Sequence, residues 1–364
     1  MKVGILGAGQ LARMIALAGY PLGLEFVFLD PSAAACANPL GKHLHGDYND
    51  IDLLAQLAKN ADVVTYEFEN VPANVADFLS AHTQVHPSPK ALAVAQDRLV
   101  EKDFFNGIGI PTPDYRAINS LEDLQAATVE LGYPAVLKSR TQGYDGKGQS
   151  VLKSSDDITP AWKLLDGVPS ILEAFVPFQR EVSIIAARST AGEIAYYPLS
   201  ENAHRGGILR VSECKTDDPM QEKAQAYVQS LLEALDYVGV LALELFEVNG
   251  QLIANEFAPR VHNSGHWTIE GAQTSQFENH LRAILNLPLG STAAIDKAGM
   301  VNFIGGLPAP QDILAIPGAH LHLYDKEPRK GRKVAHATLR SQDSQLFTEN
   351  LKKLTSIANQ VDDS

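Results

Sequence analysis

The sequence predicts a mixed α/β protein with an N-terminal doubly wound parallel sheet, an α+β centre and a small C-terminal domain. Three observations carry this. Over the first ~95 residues, short apolar runs alternate with amphipathic helical stretches, the pattern of a parallel sheet covered on both faces. Beyond about residue 130, apolar runs follow one another between glycine-rich turns with few helices between them. The length of 364 residues is enough for two or three domains.

In chain order, Val3 to Leu6 is an expected strand, Gln10 to Leu17 the start of a helix, and Glu25 to Leu29 a second strand. Ile51 to Lys59 is amphipathic helix, Asp62 to Thr65 a strand, Val75 to Ala81 a helix and Gln84 to His86 a short strand. After a proline-punctuated stretch, Leu92 to Asn106 reads as one helix, and Leu121 to Leu131 as another with Ser120 as its N-cap. Pro134 to Lys138 and Gln149 to Leu152 read as strands flanking a glycine-rich loop. Ser170 to Phe175 and Glu181 to Ala187 add strands, and Met220 to Leu235 a helix. Leu241 to Phe246 begins a hairpin whose return runs into Asn255-Glu-Phe-Ala-Pro-Arg-Val-His-Asn-Ser-Gly-His266. Short strands, a basic patch from Lys326 to Lys333 and a terminal helix close the chain.

The net charge of −13 argues against nucleic acid or an anionic membrane as the main partner, so an anionic substrate needs local positive groups. Two cysteines, Cys36 and Cys214, cannot form a disulfide framework. The chain enters a strand directly after Lys2, unlike a signal peptide, and no apolar run approaches a membrane span, so a cytoplasmic location is expected.

The chemistry concentrates in three places. The hairpin carries Glu244 and Glu256 in segments that read as buried strand, and buried carboxylates need a cation. With the Asn255 amide oxygen they form a hard oxygen site suited to Mg²⁺; the alternative is two acids paired to Arg or Lys in a core. Asn249-Gly250 marks the turn. A two-residue turn there would pair position 244 with 255 and put the two acids on opposite faces, so a shared metal requires an odd loop or a bulged strand. Arg260, His262, Asn263, Ser264 and His266 follow, a polar cluster suited to a small anion or, alternatively, a satisfied core network.

The second place is Gly7-Ala-Gly-Gln-Leu-Ala12, which fits G-x-G-x-x-A between a strand and a helix, with Asp30 where a dinucleotide fold places its ribose acid. Alone it would suit NAD, but any phosphate can use the same cradle. The third is Lys138-Ser-Arg-Thr-Gln-Gly-Tyr-Asp-Gly-Lys-Gly-Gln149, a glycine hairpin with lysines at a strand end and in the loop, without the Walker signature. A solvated hairpin is the alternative. Glu173-Ala-Phe-Val176 has a backbone able to read an adenine edge, with Glu173 accepting from its amine and Glu181 suited to ribose hydroxyls.

A lysine before a glycine hairpin, Glu-x-x-Val, and two acids ending in Asn-Glu resemble the ATP-grasp ligases. Gly7-Ala-Gly-Gln-Leu-Ala-Arg-Met14, Gly143-Tyr-Asp-Gly-Lys-Gly-Gln149 and Ala258-Pro-Arg-Val-His-Asn-Ser-Gly-His-Trp267 resemble the N5-carboxyaminoimidazole ribonucleotide synthetase family within that superfamily. Glu201-Asn-x-His204, Tyr324-Asp-Lys-Glu327 and Gly331-Arg-Lys-Val334 agree, so the resemblance spans essentially the whole chain. One departure is Ala12, where a glycine is common, tolerable if its φ is negative.

The resemblance implies an ATP-grasp fold with domains at 1–97 (Rossmann-like), 98–180 (lid subdomain), 181–300 (large subdomain with the metal hairpin) and 301–364 (C-terminal). It implies ATP-dependent carboxylation of 5-aminoimidazole ribonucleotide with bicarbonate through carboxyphosphate, in de novo purine synthesis, with Mg²⁺ (Mn²⁺ as an alternative) on Glu244 and Glu256. Nucleotide-binding residues implied are Arg98, Lys138, Gly143, Tyr144, Asp145, Gly146, Lys147, Gly148, Gln149, Glu173, Ala174, Phe175, Val176, Glu181, His204, Asn255 and Glu256. Arg260, His262 and Asn263 would be catalytic, holding bicarbonate or carboxyphosphate. Gln10, Leu11, Tyr144, Asp145, Arg260, Lys333 and Arg340 would hold the ribotide. The loop Thr141–Gly148 would close over the nucleotide, and the protein would be a homodimer. A formate-using glycinamide ribonucleotide transformylase would share the nucleotide site and differ in acceptor. An NAD dehydrogenase would leave the hairpin unexplained, and a non-catalytic nucleotide-binding regulator would lack a metal ligand or lysine.

Overall fold

A computed structural model of the chain describes residues 1–143 and 148–362. The first sheet is parallel: β1 (Lys2–Leu6), β2 (Glu25–Asp30), β3 (Lys42–His45), β4 (Val63–Tyr66) and β5 (Gln84–Val85), in the order β3-β2-β1-β4-β5. Its central strands are largely apolar because helices cover both faces. The strand Lys42–His45 has no apolar periodicity, so the sequence does not announce it.

The second sheet is antiparallel: β6 (Tyr115–Ile118), β7 (Ala135–Ser139), β8 (Gln149–Leu152) and β9 (Ser170–Ala174), in the order β6-β9-β7-β8. The expected single helix from Leu92 to Asn106 is two, Pro89–Ala95 and Arg98–Gly107. Asp97 breaks them: its carboxylate accepts from Leu99 N and Val100 N, capping the second helix, and pairs with Arg140. Ser120 caps the helix Leu121–Leu131 as expected, accepting from Asp123 N at 3.0 Å.

The third sheet comprises β10 (Arg180–Arg188), β11 (Ile194–Tyr196), β12 (Leu199–Arg205), β13 (Ile208–Lys215), β14 (Gly239–Val248), β15 (Gln251–Ala258), β16 (Lys297–Ile304), β17 (Ala319–Leu323) and β18 (Lys333–Ser341). Its order is β15-β14-β10-β12-β13-β16-β18-β17, with β11 beside β10. The C-terminal strands extend this sheet rather than building their own, and β16 spans the boundary expected at 300/301.

The helix Gln276–Ile284 joins the first and third sheets. Its His280 lies between Thr65 Oγ1 (2.9 Å) and the amide of Val240 (3.1 Å). Burial pulls that imidazole down to about 3, so it is neutral and bridges as acceptor and donor. Val3, Ile15, Val240 and Phe277 pack in one core, so the parallel sheet is fixed against the large one. Among the described residues no helix is long and apolar enough to cross a membrane. Cys36 and Cys214 are buried and free, and burial pushes the Cys214 thiol up to about 12 and raises that of Cys36 too, so neither is poised as a nucleophile.

Candidate active site

The three sheets enclose a cavity of about 1090 Å³. The hairpin β14–β15 forms one wall. Its turn has two residues: Val248 pairs with Gln251, and Asn249 and Gly250 both have positive φ, 50° and 73°. Continued regularly, that register would set Glu244 against Asn255. A β-bulge intervenes after the Leu245–Ala254 pair, and Glu244 faces Glu256. The bulge is thus the device that puts both acids on one face. Glu244, Asn255 and Glu256 all line the cavity, and Asn255 Oδ1 is buried without a hydrogen-bond partner.

Glu256 Oε2 lies 2.6 Å from Arg98 Nη1. Burial would raise its pKa, but Arg98 outweighs that and keeps the carboxyl below the ordinary range. Glu244 Oε1 is 3.1 Å from His262 Nε2. Ser264 offers both its hydroxyl (2.8 Å) and its amide (3.4 Å) to His262 Nδ1, which places the imidazole proton on Nε2, facing Glu244.

Lys138 is at the end of β7, with Nζ 2.8 Å from Glu173 Oε2 on β9. Lys102, fully buried, approaches Glu173 Oε1 at 3.7 Å. Against the upward push of burial, these two ammonium groups hold Glu173 at about 2. The expectation that Glu173 accepts from an adenine amine is therefore corrected: its carboxylate is the internal counter-ion of two lysines. The amides of Ala174 and Phe175 donate to the carbonyls of Asp114 (2.8 Å) and Pro134 (3.2 Å). The apolar wall that the sequence does not reveal is Phe178 stacked on Phe246, ring centroids 4.8 Å apart, with Phe175 and Val136 also lining the cavity. Phe246 lies two residues after Glu244, the spacing that places it on the same strand face. Glu181 and His204 face each other across β10 and β12, Oε2 to Nδ1 at 3.0 Å, and Glu181 raises the His204 pKa against the lowering effect of burial.

Arg260 donates through Nε and Nη2 to Glu69 (2.5 and 3.1 Å) and through Nη1 to Val261 O (3.2 Å). Two of its five N–H groups remain to meet an anion. Asn263 forms a reciprocal amide pair with Asn302 (2.6 and 3.1 Å) and borders the cavity. Glu69 does not stand out in the sequence. It and Glu67 follow β4 at the carboxyl edge of a parallel sheet, where ligands bind, and that position is the available signal.

Gln10 and Leu11 line the cavity, and Gln10 Oε1 accepts from Lys326 Nζ. The glycine loop beside them is not an open phosphate cradle. Gly9 N and Ala12 N donate to the Glu67 carboxylate, and Ala8 N donates to Asp30 (2.9 Å), which also accepts from Tyr48 (3.1 Å) and Ser32 N (2.7 Å). Asp30 is therefore not a free ribose acid. Ala12 sits inside the helix Gln10–Gly19 with negative φ, as its toleration requires.

Lys333, at the start of β18, lines the cavity with Lys326, Arg329, Lys330 and Arg332. Arg340 does not: it lies seven residues on, roughly 23 Å along an extended strand, next to Asp296 at 3.8 Å. Gly143 and Gln149 border the cavity, and Gly148 has φ +70°. Tyr144, Asp145, Gly146 and Lys147, with the centre of the expected lid, lie outside the described residues.

Family models match along the chain: a ribonucleotide synthetase preATP-grasp domain at residues 1–96, an ATP-grasp domain at 103–277 and a phosphoribosylaminoimidazole carboxylase C-terminal domain at 298–350. The N5-carboxyaminoimidazole ribonucleotide synthase of Pseudomonas aeruginosa is 54% identical over 94% of this chain and 95% of its own. The crystal structure of N5-carboxyaminoimidazole ribonucleotide synthetase from Thermus thermophilus superposes with a TM-score of 0.93, at 52% identity over 98% of both chains. That of the Aspergillus clavatus synthase in complex with ADP and 5-aminoimidazole ribonucleotide gives 0.91, at 31% identity over 99% of this chain and 98% of the other. With that identity over nearly the full length and an ATP-grasp architecture, the chain belongs to the N5-carboxyaminoimidazole ribonucleotide synthetase family of ATP-grasp ligases.

Proposed function

We propose that the protein couples ATP hydrolysis to carboxylation of 5-aminoimidazole ribonucleotide with bicarbonate, giving N5-carboxyaminoimidazole ribonucleotide, ADP and phosphate. The observation that carries the reading is the bulged hairpin: Glu244 faces Glu256 beside a partnerless Asn255 Oδ1, within one cavity with Arg98, Lys138 and Arg260. Two carboxylates and an amide oxygen fit Mg²⁺ (or Mn²⁺) at a nucleotide site, with phosphate oxygens and water as the remaining ligands. Bound there, the cation would neutralise charge on the β- and γ-phosphates.

The chain's own residues do the rest. Arg98 and Lys138 hold phosphate oxygens, Phe175 and the Phe178–Phe246 stack cover the base, and Glu181 with His204 meets the ribose. Arg260 presents its two remaining N–H groups to bicarbonate, held by Glu69 in that orientation; His262 and Asn263 bound the same space. A bicarbonate oxygen attacks the γ-phosphorus, the bond to ADP breaks, and carboxyphosphate forms. The exocyclic amine of the ribotide then attacks its carbonyl carbon or the CO₂ it releases, and phosphate leaves. Gln10, Leu11 and the basic segment 326–333 flank the ribotide, with Lys333 preferred over Arg340 for its phosphate. Residues 144–147 are proposed, from the family resemblance, to complete both subsites. A homodimer and a cytoplasmic location are proposed on the same basis.

ADP release measured across acceptors tests the reading. It should rise strongly only when aminoimidazole ribonucleotide and bicarbonate are both present, and formate with glycinamide ribonucleotide should give background. Arg260→Ala should lose carboxylation while still binding nucleotide. A formate-dependent rate, or a fully active Arg260→Ala enzyme, would overturn it.

A further inference from the structure

The bulge that makes Glu244 and Glu256 a facing pair disrupts the β14–β15 ladder, and a disrupted ladder leaves backbone groups to be satisfied elsewhere. One helix, Arg98–Gly107, does this. Arg98, Glu101 and Lys102 are spaced three and four apart, so they share the face that meets β15. They engage the bulged segment together. Lys102 Nζ donates to Ala254 O at 3.4 Å and to Asn255 O. Arg98 pairs with the Glu256 side chain at 2.6 Å. Glu101 Oε1 accepts from Phe257 N at 2.7 Å. Lys102 is fully buried, and Glu101, 2% exposed, borders the cavity with its Oε1 taken by Phe257 N. A buried ammonium is costly without partners, and beside its counter-ion Glu173, Lys102 takes two carbonyls at the bulge.

We propose that Glu101 and Lys102 are positioning residues for the carboxylate pair: by holding the backbone of residues 254–257 they fix the bulge that keeps Glu256 opposite Glu244. The proposal rests on the reading of that pair as the Mg²⁺ site. It concerns the register of a strand, so its signature is the coupling between cation and nucleotide, not general stability. Groups that orient metal ligands from behind typically change metal affinity about 10–100-fold when lost.

The test compares the Kd for ADP in Mg²⁺ with that in EDTA, by calorimetry on the full chain, and takes the ratio as the metal coupling. Lys102→Met and Glu101→Leu should each reduce the ratio about tenfold or more, with the Kd in EDTA changed much less. Glu101→Gln keeps an oxygen acceptor for Phe257 N and should restore the ratio to within about threefold of the parent. Should Lys102→Met not fold, the Glu101→Leu and Glu101→Gln pair decides alone. Unchanged ratios in Lys102→Met and Glu101→Leu, or a Glu101→Gln as impaired as Glu101→Leu, would overturn the positioning role while leaving the metal reading intact. A parent ratio near one would overturn both.

Discussion

The Gly7–Gly9 loop, just before the cavity-lining Gln10 and Leu11, and the β14–β15 hairpin in the cavity wall both look in sequence like binding sites for small ions. They are built oppositely. The loop is closed by the protein's own anion. A Cβ on Gly7 would collide with Glu67 Cγ, and one on Gly9 would lie 2.6 Å from Glu67 Oε1, so these glycines make room for a side chain rather than for a phosphate. The hairpin gathers two carboxylates and a partnerless amide oxygen, with the Arg98 guanidinium on one carboxylate and the His262 imidazole on the other. A glycine motif reports how closely something approaches the backbone; it does not report what approaches.

The comparison breaks most visibly at Glu256. Changing it to Gln keeps size and removes charge from the proposed Mg²⁺ site. The expected outcome is near-normal folding with kcat down about 10²-fold or more, as for losing one electrostatic contact to the transition state. Steady-state ADP release and a thermal melt check both halves. Activity within about threefold of the parent would remove Glu256 from the site, since a lost contact of this kind costs far more.

Much of this was legible because local rules dominated. Ser120, the Asn249-Gly250 turn and the parallel N-terminal sheet follow from capping, turn chemistry and periodicity. The parity of the hairpin was legible too, as a choice between an odd loop and a bulge. Nothing local selects the bulge, because its stabilising partners lie more than 150 positions earlier in the chain, on the helix Arg98–Gly107 (Lys102 to Asn255 is a separation of 153). That helix itself reads in sequence as part of a longer one, although the Asp97 that caps it is a local signal; the pairing of Asp97 with Arg140, 43 residues away, is not. Glu67 in the glycine loop, Glu69 on Arg260 and Glu173 between two lysines were illegible for the same reason. Each is a charged residue whose partner is set by tertiary packing. Arg340 shows the converse error: a basic residue near a basic segment in sequence, carried away from it by an extended strand.

The second expected effect concerns the hairpin's neighbour. Glu173 ionises at about 2, against 4.5 for a free glutamate, which contributes about 3 kcal/mol of stability at neutral pH. The sign follows from the depressed value: the unfolded chain takes up a proton first as pH falls, so the stabilisation is full above about 4.5 and is lost progressively towards about 2. Urea unfolding across that window should show it. Glu173→Gln should be less stable than the parent by about 3 kcal/mol at pH 7 and converge on it in acid. A parallel pH profile for the two proteins would mean that Lys102 and Lys138 do not depend on Glu173.

The smallest effect is expected at Glu67, and it has the opposite sign. Burial raises its pKa more than the amides of Gly9 and Ala12, with Lys326 nearby, can lower it. For a raised carboxyl the unfolded chain loses its proton first as pH rises. Glu67 therefore costs stability from its ordinary pKa upward, and that cost persists at neutral pH. Glu67→Gln removes the charge and keeps an oxygen for one of the two amides. It should unfold within about 1 kcal/mol of the parent at pH 7, or above it, with a flatter pH profile. Glu67→Ala goes further, because it opens a helix N-terminus next to two glycines. Inorganic phosphate should then raise its melting temperature by more than it raises the parent's, since the basic cavity binds phosphate in either protein. If Glu67→Gln loses as much stability as Glu173→Gln, or phosphate stabilises parent and Glu67→Ala alike, the loop is not closed by its own anion and the contrast with the hairpin fails.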